Sequence, residues 1–114
     1  MIIYGIKNCD TIRKARKWLT AHEIEYEFHD FRTDGINPVQ LRAWATEAGW
    51  QKLLNKRSTT WRNLPDETKV EINETLAIFL MEENPTLIKR PVLEMSAGIL
   101  VGFSEKIYTE KLLS

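Results

Sequence analysis

Cysteine is almost absent: the 114 residues hold one, Cys9. No disulfide can form within the chain, and a disulfide-stapled mini-domain is excluded. Charge of one sign is missing too. Sixteen Lys and Arg balance sixteen Asp and Glu, so bulk charge gives no reason to expect a nucleic acid or an anionic membrane surface as partner. No apolar run approaches the roughly 20 residues needed to span a bilayer. The start Met1-Ile-Ile-Tyr-Gly5 lacks the pattern of a signal peptide. A reducing, cytoplasmic setting is therefore expected, and it would keep Cys9 free. The two histidines, His22 and His29, do not combine with one cysteine into zinc-ligand spacing, so no metal is expected. Repeats, low-complexity tracts and linkers are also lacking, which leaves a single domain over 1–114, long enough for a core of its own.

What is present begins at Cys9, where a short apolar strand hands over to a helix starting near Asp10. A helix N-terminus carries unpaired N–H groups and the positive end of the dipole. Both favour a thiolate, the reactive form of cysteine. Asp10 would oppose that charge and is read as an ordinary first-turn residue. Lys7 and Arg13 flank the thiol and could add positive potential.

The periodicities predict a strand at Met1–Tyr4 and a helix from Asp10 to Ala21, with Ile12, Ala15, Trp18 and Leu19 inward. A second strand is expected at Glu25–Phe31, parallel to the first because a helix crosses between them. Asn37-Pro38 reads as a helix start and Gly49 as its stop, with Leu41, Trp44, Ala45 and Ala48 as the apolar stripe. A helical turn over Trp50–Asn55, a loop over Lys56–Arg62 and helices at Asp66–Asn73 and Glu74–Glu83 follow. In the last of these, Leu76, Phe79 and Leu80 are expected inward. Val92–Met95 and Leu100–Phe103 read as a hairpin. A final helix starts at Ser104 with Ile107, Tyr108, Leu112 and Leu113 on its apolar side. Trp18, Trp44, Trp50 and Trp61 are read as packing residues, not as a stacking platform for bases.

The order β-α-β, helical block, β-β-α, with a cysteine at the first strand–helix junction, is the layout of an α/β thioredoxin-like fold. Its mixed four-stranded sheet would carry a helical insertion at about 38–88. In that fold a proline just before the third strand, here Pro91, is usually cis and lies beside the reactive cysteine. The sequence itself leaves the isomer open.

Three segments narrow this further: Asn8-Cys-Asp-Thr-Ile-Arg-Lys-Ala15, His29-Asp-Phe-Arg-Thr-Asp-Gly35 and Asn84-Pro-Thr-Leu-Ile-Lys-Arg-Pro-Val92. Together they resemble the arsenate reductase (ArsC) family, and within it the YffB-like branch. The resemblance runs the length of the chain, and Leu87-Ile-Lys-Arg-Pro-Val92 is its most specific piece. It implies an oxidoreductase, a glutathione-dependent thiol reductase with Cys9 as nucleophile, acting on a small oxyanion or an oxidised thiol. Glutathione would be co-substrate, no cofactor would be tightly bound, and a monomer is expected.

Carried over by position, the resemblance assigns Arg57 and Arg90 to anion or glutathione binding, with Pro91 beside them and Arg13 as a further candidate. A guanidinium suits the task because its planar fork of donors keeps its charge. Two family features are missing. The third oxyanion arginine falls at Gly102, and losing one charge-assisted contact costs about 1.5–3 kcal/mol, or tenfold to a hundredfold in affinity. The second cysteine of the related Spx-type regulators falls at Ile12, so an oxidised Cys9 needs an outside thiol. The alternatives implied are a glutathione/glutaredoxin-coupled arsenate reductase and a non-enzymatic Spx-like regulator that binds RNA polymerase.

Overall fold

The structure, a computed structural model, describes residues 1–113; Ser114, the last residue of the expected domain, lies outside it. The chain forms two compact units, one of Met1–Asp34 with the chain from Arg90 onward, the other of Gly35–Lys89.

The first unit is a mixed sheet with helices. Strands β1 (Ile2–Gly5), β2 (Glu27–Asp30), β3 (Val92–Met95) and β4 (Gly98–Val101) lie in the order β2-β1-β3-β4. β1 and β2 run parallel, pairing Ile3 with Phe28 and Gly5 with Asp30, as the crossover through helix α1 (Asp10–Ala21) requires. β1–β3 and β3–β4 are antiparallel. Ile12, Ala15, Trp18 and Leu19 are the buried face of α1, the spacing the sequence predicts. Ile3, Ala15, Trp18, Leu19, Leu93 and Tyr108 form the core. Tyr108 meets Trp18 and Phe103 edge-on, at centroid distances of 5.4 and 4.8 Å.

Several boundaries differ from expectation. β2 ends at Asp30, and Phe31–Asp34 turns into a short helix, α2, whose Asp34 accepts from the N–H of Asp30. β4 begins at Gly98, since pairing of Met95 with Gly98 leaves only Ser96-Ala97 as the turn. In the last helix only Tyr108 is fully buried, while Ile107 and Leu113 are about half exposed. At 100° per residue, Ile107 and Leu113 fall well off the stripe that Tyr108 and Leu112 share.

The second unit is helical: α3 (Pro38–Ala48), α4 (Trp50–Leu53), α5 (Thr59–Arg62), α6 (Asp66–Val70) and α7 (Glu74–Glu83), then a 3-10 turn at Pro85–Leu87. The last helix of the first unit, α8, spans Glu105–Leu112. Asn37 caps α3 by accepting from the N–H groups of Val39 (2.9 Å) and Gln40 (3.3 Å), and Gly49 ends it at φ 91°. The expected loop Lys56–Arg62 instead contains α5, because Ser58 Oγ accepts from the Trp61 N–H at 3.1 Å and caps a turn that two β-branched threonines disguise. On α7 the buried set is Ala77, Ile78 and Met81, and Phe79 is 55% exposed. The stripe is rotated from the expected one because α7 packs on α3 and α4, and the face it buries carries Ala77, Ile78 and Met81. No helix among the described residues is long and apolar enough to cross a membrane.

Candidate active site

Gly5 ends β1, and the chain then turns: the N–H of Cys9 donates to the carbonyl of Ile6 at 3.3 Å. Cys9 emerges as the N-cap of α1, with extended backbone (φ −103°, ψ 128°), and its carbonyl accepts the N–H of Arg13 at 3.0 Å. This is the junction the sequence predicts.

The thiol is half-buried. Burial pushes its pKa up, but the Ile12 N–H, a hydrogen bond from the Arg90 guanidinium, the Thr11 N–H and the charge of Arg90 together outweigh that effect. The net result is a pKa below the ordinary 9.0. Sγ does not make a regular capping hydrogen bond, yet the first-turn N–H groups of Ile12 and Thr11 favour its charged form.

Arg90 and Cys9 are thus brought together by the sheet: Arg90 lies two residues before β3, separated from it by Pro91, and β3 pairs with β1, which leads to Cys9. Pro91 is fully buried and the Arg90–Pro91 bond is cis. The Pro91 carbonyl accepts from the N–H of Gly102 at 2.8 Å, which fixes the start of β3 against the end of β4. Gly102 stands at φ 83°, a left-handed conformation that an arginine adopts only at a cost.

The other candidates are placed differently. Arg13 is largely exposed and ion-paired with Asp10, one turn along α1. Arg57 lies in the helical unit between α4 and α5; its N–H donates to Asn55 Oδ1 and its carbonyl accepts from Arg62 Nη2. Lys7 has an exposed side chain, but its N–H donates to Asp30 Oδ2 at 3.3 Å. Asp30, to which sequence reasoning gives no role, is the buried charged side chain among the described residues. The one trace it leaves in the sequence is an acid within the His29–Gly35 segment, where a strand would otherwise continue. No group of three or more potential metal ligands occurs among the described residues.

Comparison with known proteins places this geometry in context. The model of the ArsC family matches residues 4–111. An uncharacterized protein of Haemophilus influenzae is 51% identical over 93% of each chain. A global transcriptional regulator Spx of Streptococcus agalactiae is 31% identical, over 86% of this chain and 72% of the regulator. The solved structure of a YffB protein superposes with a TM-score of 0.93 at 47% identity, over 97% of both chains. That of an arsenate reductase (ArsC) related protein from Brucella melitensis gives 0.80 at 41%, over 96% of this chain and 92% of that one.

Proposed function

The chain belongs to the ArsC family, and from that membership we propose that it is a glutathione-dependent thiol reductase with Cys9 as its single nucleophile. One observation supports this reading above others: the half-buried thiol has a lowered pKa, caused by Arg90 and the first-turn amides of α1. A structural cysteine in an apolar setting would be shifted the other way.

The cycle needs only this thiol. The Cys9 thiolate attacks a mixed disulfide R–S–S–G at the glutathionyl sulfur, forming a Cys9–glutathione disulfide and releasing R–S⁻, which takes up a proton. A second glutathione thiolate then attacks the protein-bound disulfide at the glutathione sulfur. Oxidised glutathione leaves and the Cys9 thiolate returns. The sum is R–S–S–G + GSH → R–SH + GSSG: the incoming glutathione sulfur is oxidised to the disulfide level as R–S is reduced to the thiol, and the glutathione sulfur already in the substrate stays at the disulfide level throughout. Arg90 would hold Cys9 ionised and orient an anionic group of the ligand. The part of Arg57 rests on the family resemblance alone.

Intact mass after incubation with oxidised glutathione tests this. One adduct is expected, mapped to Cys9 and absent in Cys9→Ser; a wild-type protein that stays unmodified across the thiol titration range would refute it.

Two further readings draw on the relatives. The Brucella structure, related to arsenate reductase, favours arsenate as oxyanion substrate; glutathione-coupled arsenate turnover raised by Gly102→Arg would support it. The likeness to Spx favours a regulator, for which capture of RNA polymerase by the Cys9→Ser protein would be the supporting result.

A further inference from the structure

The turn that delivers Cys9 is held from the side by a neighbouring strand. Gly5 and Asp30 are paired residues at the ends of parallel β1 and β2, so the Asp30 side chain lies next to the turn Ile6–Cys9. One carboxylate oxygen, Oδ2, accepts the N–H of Lys7 inside that turn at 3.3 Å; the other, Oδ1, accepts the N–H of Arg32 at 2.9 Å, where α2 begins. Asp30 is only 9% exposed, and a carboxylate is rarely so buried without a task that repays its desolvation. Its own N–H is occupied by Asp34 Oδ2 at 3.0 Å. Thus both ends of β2's final residue are fixed by hydrogen bonds.

The turn is also held by its buried Ile6 side chain and by its own closing bond, from the Cys9 N–H to the Ile6 carbonyl, which at 3.3 Å equals the bond from Lys7 to Asp30. Without the Asp30 acceptor the Lys7 N–H would lose its partner, and the four residues between β1 and α1 could relax. That relaxation moves Cys9 relative to the amides of Thr11 and Ile12, which are fixed in a helix packed on the sheet.

We propose that Asp30 is a positioning residue for the nucleophile: its buried carboxylate clamps the turn Ile6–Cys9 and so sets where Sγ sits against the first turn of α1 and Arg90. This rests on the reading of Cys9 as nucleophile. Asp30 acts through the backbone of Lys7, not on the thiol itself; the groups acting directly on Cys9 are the Ile12 and Thr11 amides and Arg90.

The sign of the effect separates this from electrostatics. Removing a nearby negative charge would by itself lower a thiol pKa, whereas loss of positioning raises it. The experiment is the pH profile of iodoacetamide alkylation of Cys9, followed by intact mass, beside a thermal melt. Asp30→Ala is expected to move the profile upward by about one unit, so that alkylation at a pH below both values is roughly tenfold slower. A profile that stays in place or moves downward, whatever happens to the melting temperature, overturns the assignment. If Asp30→Ala does not fold, Lys7→Pro is compared with Lys7→Ala. Proline removes the donor N–H at the second position of the turn, where it is well tolerated, while both variants remove the lysine charge. A profile higher for proline than for alanine supports the clamp, and coincident profiles overturn it. A wild-type profile at the ordinary thiol value would instead remove the nucleophile reading on which the clamp depends.

Discussion

A thiol whose pKa falls on folding ties stability to pH, and Cys9 carries that link at the scale of one residue. Its pKa is lowered from 9.0, so between the folded and unfolded values the native chain binds fewer protons than the unfolded one. Stability must therefore rise with pH across that window. The contribution is full above the unfolded value and is lost as pH falls through the folded one. Cys9→Ser removes the link. We expect the stability difference between wild type and Cys9→Ser to change in favour of wild type as pH rises towards 9.0 and to level off above it, measured by urea unfolding at a series of pH values. A difference independent of pH would mean that the folded thiol is not perturbed. Much of this residue was legible beforehand: a cysteine before an amphipathic helix is recognisable from periodicity alone. Arg90 was legible only through the family motif, because nothing in the sequence itself says that a residue 81 positions away will face the thiol.

At the scale of elements, the approach of α1 to β1 depends on a missing side chain. A methyl at Gly5 would overlap the Cδ1 and Cγ1 atoms of Ile12, and Ile12 is completely buried. Gly5→Ala should destabilise the protein by about 1–3 kcal/mol, as overpacking does, and should raise the thiol pKa because the displaced residue is the one whose N–H acts on Cys9. Trimming the obstacle with Ile12→Val should recover part of both losses in the double variant, read as a double-mutant cycle of melting and alkylation. Additive effects would show that the two side chains do not collide. Helix α1 and strand β3 end where the sequence predicts because their limits are set locally, by a capping junction at one and a proline at the other. β4, α5 and the inward face of α7 differ because strand register, a serine cap and a partner helix decided them. Those are interactions across turns or between elements, which hydrophobic period does not encode.

For the molecule as a whole, one cysteine in 114 residues fixes the stoichiometry of any redox cycle. An oxidised chain can hold one glutathione and has no second thiol with which to expel it. Release of the adduct should therefore be first order in added reduced glutathione and should not proceed in its absence, followed by mass spectrometry of the isolated glutathionylated protein. Spontaneous release without external thiol would contradict a single-thiol cycle. The same economy bears on arsenate. Gly102 offers no guanidinium, and its φ of 83° means that Gly102→Arg carries a backbone cost of about 1–2 kcal/mol beside any gain in anion binding.

The sequence by itself determined the chemistry available to this protein: one thiol, at a helix start, no internal disulfide, and a strand–helix order that allows only a few sheet topologies. These follow from composition and from short-range periodicity. Only the tertiary structure decided which groups act on that thiol. It brought Arg90 to Cys9 through the pairing of β3 with β1, and it placed Asp30 against the turn through the pairing of β2 with β1. A carboxylate's role depends on which backbone amide lies within hydrogen-bonding reach, and strand register sets that reach.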